Sequence, residues 1–234
     1  MQPPPFSDMN REERHLCAIL YHLLADTENL RAFQSTLGLG SRDDAKVFVE
    51  AAFVRDYFNW CRDEHRRLRK GPEEFDAFCH EPFGIVPGLA SASRAPDGFL
   101  SLRALKGRRE AFADEYCAAL PELANMKLDL LLLTSETFAV IEAKLHSPVQ
   151  APQIHLQQVL GVILSRLPGY ERHTFRHFLV SRGTHPKLEH QVGLRRPPVN
   201  LSVQECSWEQ ILRRLPRVAP RHLAEIQGML APRH

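Results

Sequence analysis

Cysteine is scarce and unorganised in this 234-residue chain: Cys17, Cys61, Cys79, Cys117 and Cys206 are widely scattered, with no C-x-x-C pair. An odd, dispersed set excludes a disulfide-stapled scaffold and fits a reducing compartment, so a cytoplasmic protein is expected. Cys61 with His65 and Cys79 with His80 lack the spacing of a structural zinc site, and most of the thiols read as buried on apolar helix faces. Long hydrophobic runs are missing too. Runs such as Leu130 to Leu133 fall far short of the ~20 residues that span a bilayer. The start, Met1-Gln2-Pro3-Pro4-Pro5, has neither a basic nor an apolar leader region, which predicts no secretory signal and no membrane association. Glycine-rich phosphate loops of the P-loop or dinucleotide type do not occur, nor does the G-x-S-x-G of serine esterases. NTP motors, dinucleotide enzymes and esterases are therefore poor readings.

What is present is charge, unevenly placed. The net charge is only +2, but residues 166–234 carry twelve Lys/Arg against five Glu, leaving the rest of the chain acidic. A basic C-terminal third, with smaller clusters at 62–70 and 103–109 and Arg195-Arg196 in an expected loop, permits contact with phosphates.

The first part of the chain reads as helical. Leu16, Ile19, Leu20, Leu23 and Leu24 recur at helical spacing behind the capping residues Ser7 to Asn10, and a second short helix is expected over 28–37. Residues 41–70 read as one long helix with Val47, Ala51, Val54, Phe58 and Cys61 on one face. Proline and glycine make 71–100 irregular, and 108–120 is helical again. The pattern then changes: strands over 127–134 and 137–145, a helix over 152–167, a strand over 175–181, another near 199–204, and a helix over 208–215 capped by Ser207. The order predicts an α/β core at 109–234, a small mixed central sheet flanked by helices, with a mainly helical region at 1–108 as an N-terminal lobe or insertion.

The chemistry lies in residues 127–145, KLDLLLLTSETFAVIEAKL. A greasy strand holds one acid, Asp129, and the next strand ends Glu142-Ala143-Lys144. Period-two alternation puts Glu142 and Lys144 on one face. A tight turn centred between Ser135 and Glu136 sets Asp129 opposite Glu142, with Cβ atoms ~5 Å apart. Two carboxylates in apolar surroundings are costly unless a cation sits between them. Oxygen ligands of this kind suit Mg²⁺, with Mn²⁺ as a substitute, and Lys144 beside them can position or help deprotonate an attacking water and stabilise phosphate charge. His173 and His177 read as structural histidines.

These residues resemble the PD-(D/E)XK nuclease superfamily, the restriction-endonuclease-like fold: Asp129, then Glu142-Ala143-Lys144 as the E-x-K element, then a helix. The resemblance implies that Asp129, Glu142 and the main-chain carbonyl of Ala143 bind the metal. It also implies a glutamine on the following helix, Gln157 being preferred over Gln158, and a glutamate on an earlier helix. For the latter, Glu13, Glu50 and Glu115 compete, and Glu13 is preferred because it leads into the Leu16, Leu20, Leu24 stripe. DNA is the implied substrate, with RNA still open, in restriction, repair or antiviral defence. A homodimer or larger assembly is implied because one such site cuts one strand. Two other classes compete: a non-cleaving nucleic-acid-binding or assembly subunit of the same fold, and a helical interaction protein that binds no metal.

Overall fold

The computed structural model describes residues 13–68, 126–145, 149, 151–164, 167, 169–182 and 202–231. The expected helix at 108–120, the segment 71–100, Glu115, Arg195 and Arg196 lie outside these. In chain order the elements are α1 (Glu13–Leu23), α2 (Thr27–Thr36), β1 (Lys46–Ala51), α3 (Phe53–Leu68), β2 (Leu128–Leu133) and β3 (Thr137–Ala143). They continue with α4 (Ala151–Leu164), β4 (Thr174–Ser181), β5 (Val203–Ser207), α5 (Trp208–Arg214) and α6 (Pro220–Leu230). The result is a mixed α/β fold with a central five-stranded sheet in the order β1-β2-β3-β4-β5, flanked by helices. β1, β2 and β3 are antiparallel neighbours; β3, β4 and β5 run parallel. Among the described residues no helix is long and apolar enough to cross a membrane.

The described residues form two compact units. One holds 13–51, 128–145, 149, 151, 174–182 and 202–231; the other holds 52–68, 126–127, 152–164, 167 and 169–173. In the first unit one sheet face is apolar by alternation: Leu130 and Leu132, Ala139, Ile141 and Ala143, Phe178 and Val180. Onto it pack Leu16, Leu20 and Leu23 of α1, Phe33 of α2, Trp208 and Ile211 of α5, and Ile226 and Met229 of α6. Each such side chain contributes about 1.5–3 kcal/mol on burial. Buried Asn29 ties the helices together: its amide nitrogen donates to Leu23 O (2.9 Å) and Arg217 O (2.8 Å), and its Oδ1 accepts from Arg217 N (2.9 Å). In the second unit the aromatic rings of Phe53, Tyr57 and Tyr170 meet edge to face or stacked, with Trp60 exposed beside Tyr57.

Residues 41–70 are not one helix. Lys46–Ala51 is a strand on the sheet edge, and only Phe53–Leu68 is helical. The Val47/Ala51/Val54 spacing fits a helix, but Val47 and Val49 also alternate with exposed Phe48. Branched residues plus the open edge of β2 decide in favour of the strand. Glu50 therefore sits on a strand rather than a helix. Its φ of 51° puts it in the left-handed region, and the register skips it between Val49↔Leu130 and Ala51↔Leu128. Continued pairing would set Glu50 opposite Asp129, and like charges directly opposite destabilise a sheet. The Glu50 carboxylate instead lies 3.4 Å from Arg14. The strand expected near 199–204 runs from Val203 to Ser207, and α6, opened by Pro220, was not foreseen.

His177, buried in β4, has its pKa pushed down from 6.5 to about 4 by burial. It is neutral in the folded state and readily protonated once unfolded. The His177 contribution to stability is therefore complete above pH 6.5 and falls as pH drops toward 4, by about 3 kcal/mol. Urea unfolding of the wild type and His177→Leu at pH 7 and pH 4.5 should show this loss as the difference between the two pH profiles, since Asp129 acts on both in the opposite sense; identical profiles would refute the assignment.

Candidate active site

The hairpin that carries the acids has the register expected of it. Leu130 pairs with Ile141, Leu131 with Val140, Leu132 with Ala139 and Leu133 with Phe138. One further step sets Asp129 against Glu142. Thr134 builds the turn: its N–H donates to Thr137 O (2.9 Å), and its hydroxyl oxygen accepts from the N–H groups of Glu136 (3.2 Å) and Thr137 (2.9 Å). The Ser135 N–H donates to an Asp44 carboxylate oxygen (2.8 Å), and Arg42 pairs with Glu136. The turn is thus anchored from outside, which leaves little freedom for the register to slip.

Because the apolar face is taken by Leu130, Ile141 and Ala143, alternation sends Asp129, Glu142 and Lys144 to the opposite face. Glu142 is fully buried and Lys144 nearly so. The Lys144 ammonium lies 2.5 Å from Glu142 Oε1 and 3.8 Å from Glu13 Oε2. The Asp129 carboxylate accepts the Ala143 N–H at 2.9 Å. In an extended strand a residue's N–H and C=O point the same way, so the Ala143 carbonyl also faces the Asp129 side.

The end of β3 is held at three consecutive polar groups. The Lys144 N–H donates to Val180 O of β4 (2.8 Å), and its carbonyl accepts the Trp208 indole N–H (3.0 Å). The Leu145 N–H donates to Glu13 Oε1 (3.1 Å). Glu13, the first residue of α1, thus binds the backbone beyond Lys144 with one oxygen and approaches its ammonium with the other.

The charges are strongly coupled. Burial, then the neighbouring Glu142 carboxylate, push Asp129 up from 3.8 to about 7, against the Ala143 hydrogen bond and Lys144, which favour the charged form. Burial alone would lower the Lys144 pKa, but Glu142, Glu13 and Asp129 together hold it above its ordinary value. Lys144 is therefore a cation, which fits charge stabilisation and water positioning rather than proton removal. Burial, then Asp129, Glu142, Glu13 and Glu50, raise the Cys17 thiol far above its usual range, so that it stays an inert SH.

Among the described residues no group of three or more His, Cys, Asp or Glu side chains is arranged to hold a metal ion. The oxygen donors at hand are the Asp129 and Glu142 carboxylates and the Ala143 carbonyl. That set fits Mg²⁺, which takes one or two carboxylates and keeps several waters.

Of the residues singled out from sequence, Asp129, Glu142, Ala143, Lys144 and Glu13 come together. Gln157 and Gln158 are both buried on α4, in the second unit. The hydrogen bond from Trp208 to Lys144 was not among the expectations from sequence. A signal existed: a wholly buried tryptophan needs a partner for its N–H. Neither a family model, nor a curated protein, nor a solved structure matches this chain.

Proposed function

We propose that this chain is a metal-dependent nuclease of the PD-(D/E)XK, restriction-endonuclease-like type, hydrolysing phosphodiester bonds of DNA. The observation that carries the reading is the convergence of Asp129, Glu142 and Lys144 at the end of one hairpin. Their register and face match the superfamily's acid and E-x-K elements, with Glu13 closing on the same point from α1. A structural ion pair would be satisfied by Glu142 and Lys144 alone. It would not require a second acid pushed up to about 7 on the adjoining strand.

Asp129, Glu142 and the Ala143 carbonyl would hold Mg²⁺ or Mn²⁺. When bound, such an ion supplies Lewis acidity and a water of lowered pKa. The chain's own residues do the rest. Lys144, kept cationic by its acidic neighbours, orients a water and offers donors to a non-bridging phosphate oxygen, where charge builds in the transition state. Glu13 fixes the backbone after Lys144 and limits the swing of the ammonium.

Two measurements test the reading. Cleavage of supercoiled, linear and single-stranded DNA, with RNA as comparison, should require Mg²⁺; no cleavage of any substrate with Mg²⁺ or Mn²⁺ would refute it. Calorimetry should show weak Mn²⁺ binding that disappears in Asp129→Ala. Unchanged Mn²⁺ affinity in that variant would remove Asp129 from the metal site.

A further inference from the structure

We propose that Trp208 is a positioning residue of this site: its indole N–H, by holding the Lys144 carbonyl, sets the direction in which the Lys144 ammonium is presented to Glu142 and to a bound phosphate. The inference rests on the nuclease reading for its catalytic consequence, but not for its geometry.

Lys144 stands just past the last residue of β3, where the sheet no longer dictates both of its peptide groups. Its N–H still belongs to the β4 ladder, through Val180 O at 2.8 Å. Its carbonyl is held by a side chain, the Trp208 indole at 3.0 Å, across 64 residues of sequence. Both groups are buried, so water competes poorly for either. With N–H and C=O both fixed, the backbone torsions of Lys144 are fixed, and with them the vector of its side chain. The tether is itself rigid. Trp208 is wholly buried at the first turn of α5, directly after β5. The turn is locked by a capping box, in which Ser207 Oγ accepts from Gln210 N (3.1 Å) and Gln210 Oε1 accepts from Ser207 N (2.9 Å). β5 is paired in register with β4, Ser207 opposite Ser181 and Cys206 opposite Val180. Lys144 is thus held at its N–H by β4, the parallel neighbour of the strand it ends, and at its carbonyl by the helix that follows β5. Phenylalanine would fill most of the indole's space but could not hold the carbonyl, so the choice of tryptophan points to the N–H.

The test is a set of double-mutant cycles. In Mg²⁺-dependent cleavage, Trp208→Phe should lower kcat about tenfold and leave the KM for DNA within about twofold, because the ammonium acts on the transition state. In a Lys144→Ala background the same substitution should cost less than about twofold, since the group it positions is gone. Equal losses of kcat in both backgrounds would overturn the proposal and leave Trp208 a packing residue. A second cycle needs no activity: the coupling between Lys144→Ala and Glu142→Gln in urea unfolding should shrink by more than half when Trp208→Phe is added. Unchanged coupling would also overturn it. If Trp208→Phe does not fold, the analogue with sulfur in place of the indole N–H can be incorporated in a Trp60→Phe background, Trp60 and Trp208 being the chain's two tryptophans. That analogue keeps the shape and removes only the donor, and the same two outcomes apply. Absence of wild-type cleavage would refute the nuclease reading, while the unfolding cycle would still decide the role of Trp208.

Discussion

Lys144→Ala is expected to lower Mg²⁺-dependent DNA cleavage by at least about a hundredfold, or roughly 3 kcal/mol of transition-state stabilisation. The substitution removes the ammonium 2.5 Å from Glu142 and leaves Asp129 and Glu142 to hold the proposed ion. Its second effect is on folding. Glu142 is fully buried with Lys144 2.5 Å away, and taking the cation from such a pair exposes the cost of the buried carboxylate. Without metal, the variant should lose about 3–5 kcal/mol of stability. Mg²⁺ should restore part of that loss, because binding to the folded state adds to stability by mass action. The checks are cleavage rates at saturating Mg²⁺, compared at equal folded fraction, and thermal unfolding with and without Mg²⁺. Cleavage that survives the substitution would mean that the activity resides elsewhere, and the role given to Lys144 would fall.

Asp129→Asn should act in the opposite sense on stability while also abolishing cleavage. The carboxyl is pushed up from 3.8 to about 7, by burial first and Glu142 second. A carboxylate with a raised folded pKa gives its full stability below its unfolded value. It loses stability as pH rises toward the folded value, because the unfolded chain ionises earlier. The amide has no such penalty, and its side-chain oxygen can still accept the Ala143 N–H. The stability difference between variant and wild type should therefore be small near pH 4 and grow to a gain of about 2–4 kcal/mol by pH 8. Chemical denaturation across that range measures it, in buffers free of divalent cations. A variant less stable than wild type at pH 8 would show that Asp129 is a structural acceptor rather than a strained ligand. A gain in stability together with lost cleavage is what a functional site predicts, since the ligand is kept at a cost to the fold.

The hairpin was legible because its information is local. A run of leucines, a polar Thr134-Ser135-Glu136 turn and a second apolar run allow one register in which the apolar faces agree, and that register pairs Asp129 with Glu142. Glu13 was legible through position, at the start of a leucine-striped helix. β1 was not, because Val47 and Ala51 satisfy a helical period as well as a strand, and pairing with the edge of β2 is needed to break the tie. Asn29 and Trp208 were not legible either, since each acts on a partner far along the chain.

Sequence alone determined which side chains share a face, because a strand's period of two and a helix's 3.6 act between near neighbours. From it follow the apolar sheet face, the Glu142–Lys144 pairing and the position of Asp129. Tertiary structure alone decided what stands at the open end of β3. The Glu13 carboxylate and the Trp208 indole reach Leu145 and Lys144 from elements 132 and 64 residues away in sequence. Such contacts depend on how helices settle on the sheet, a matter of packing summed over the whole core that no local pattern records.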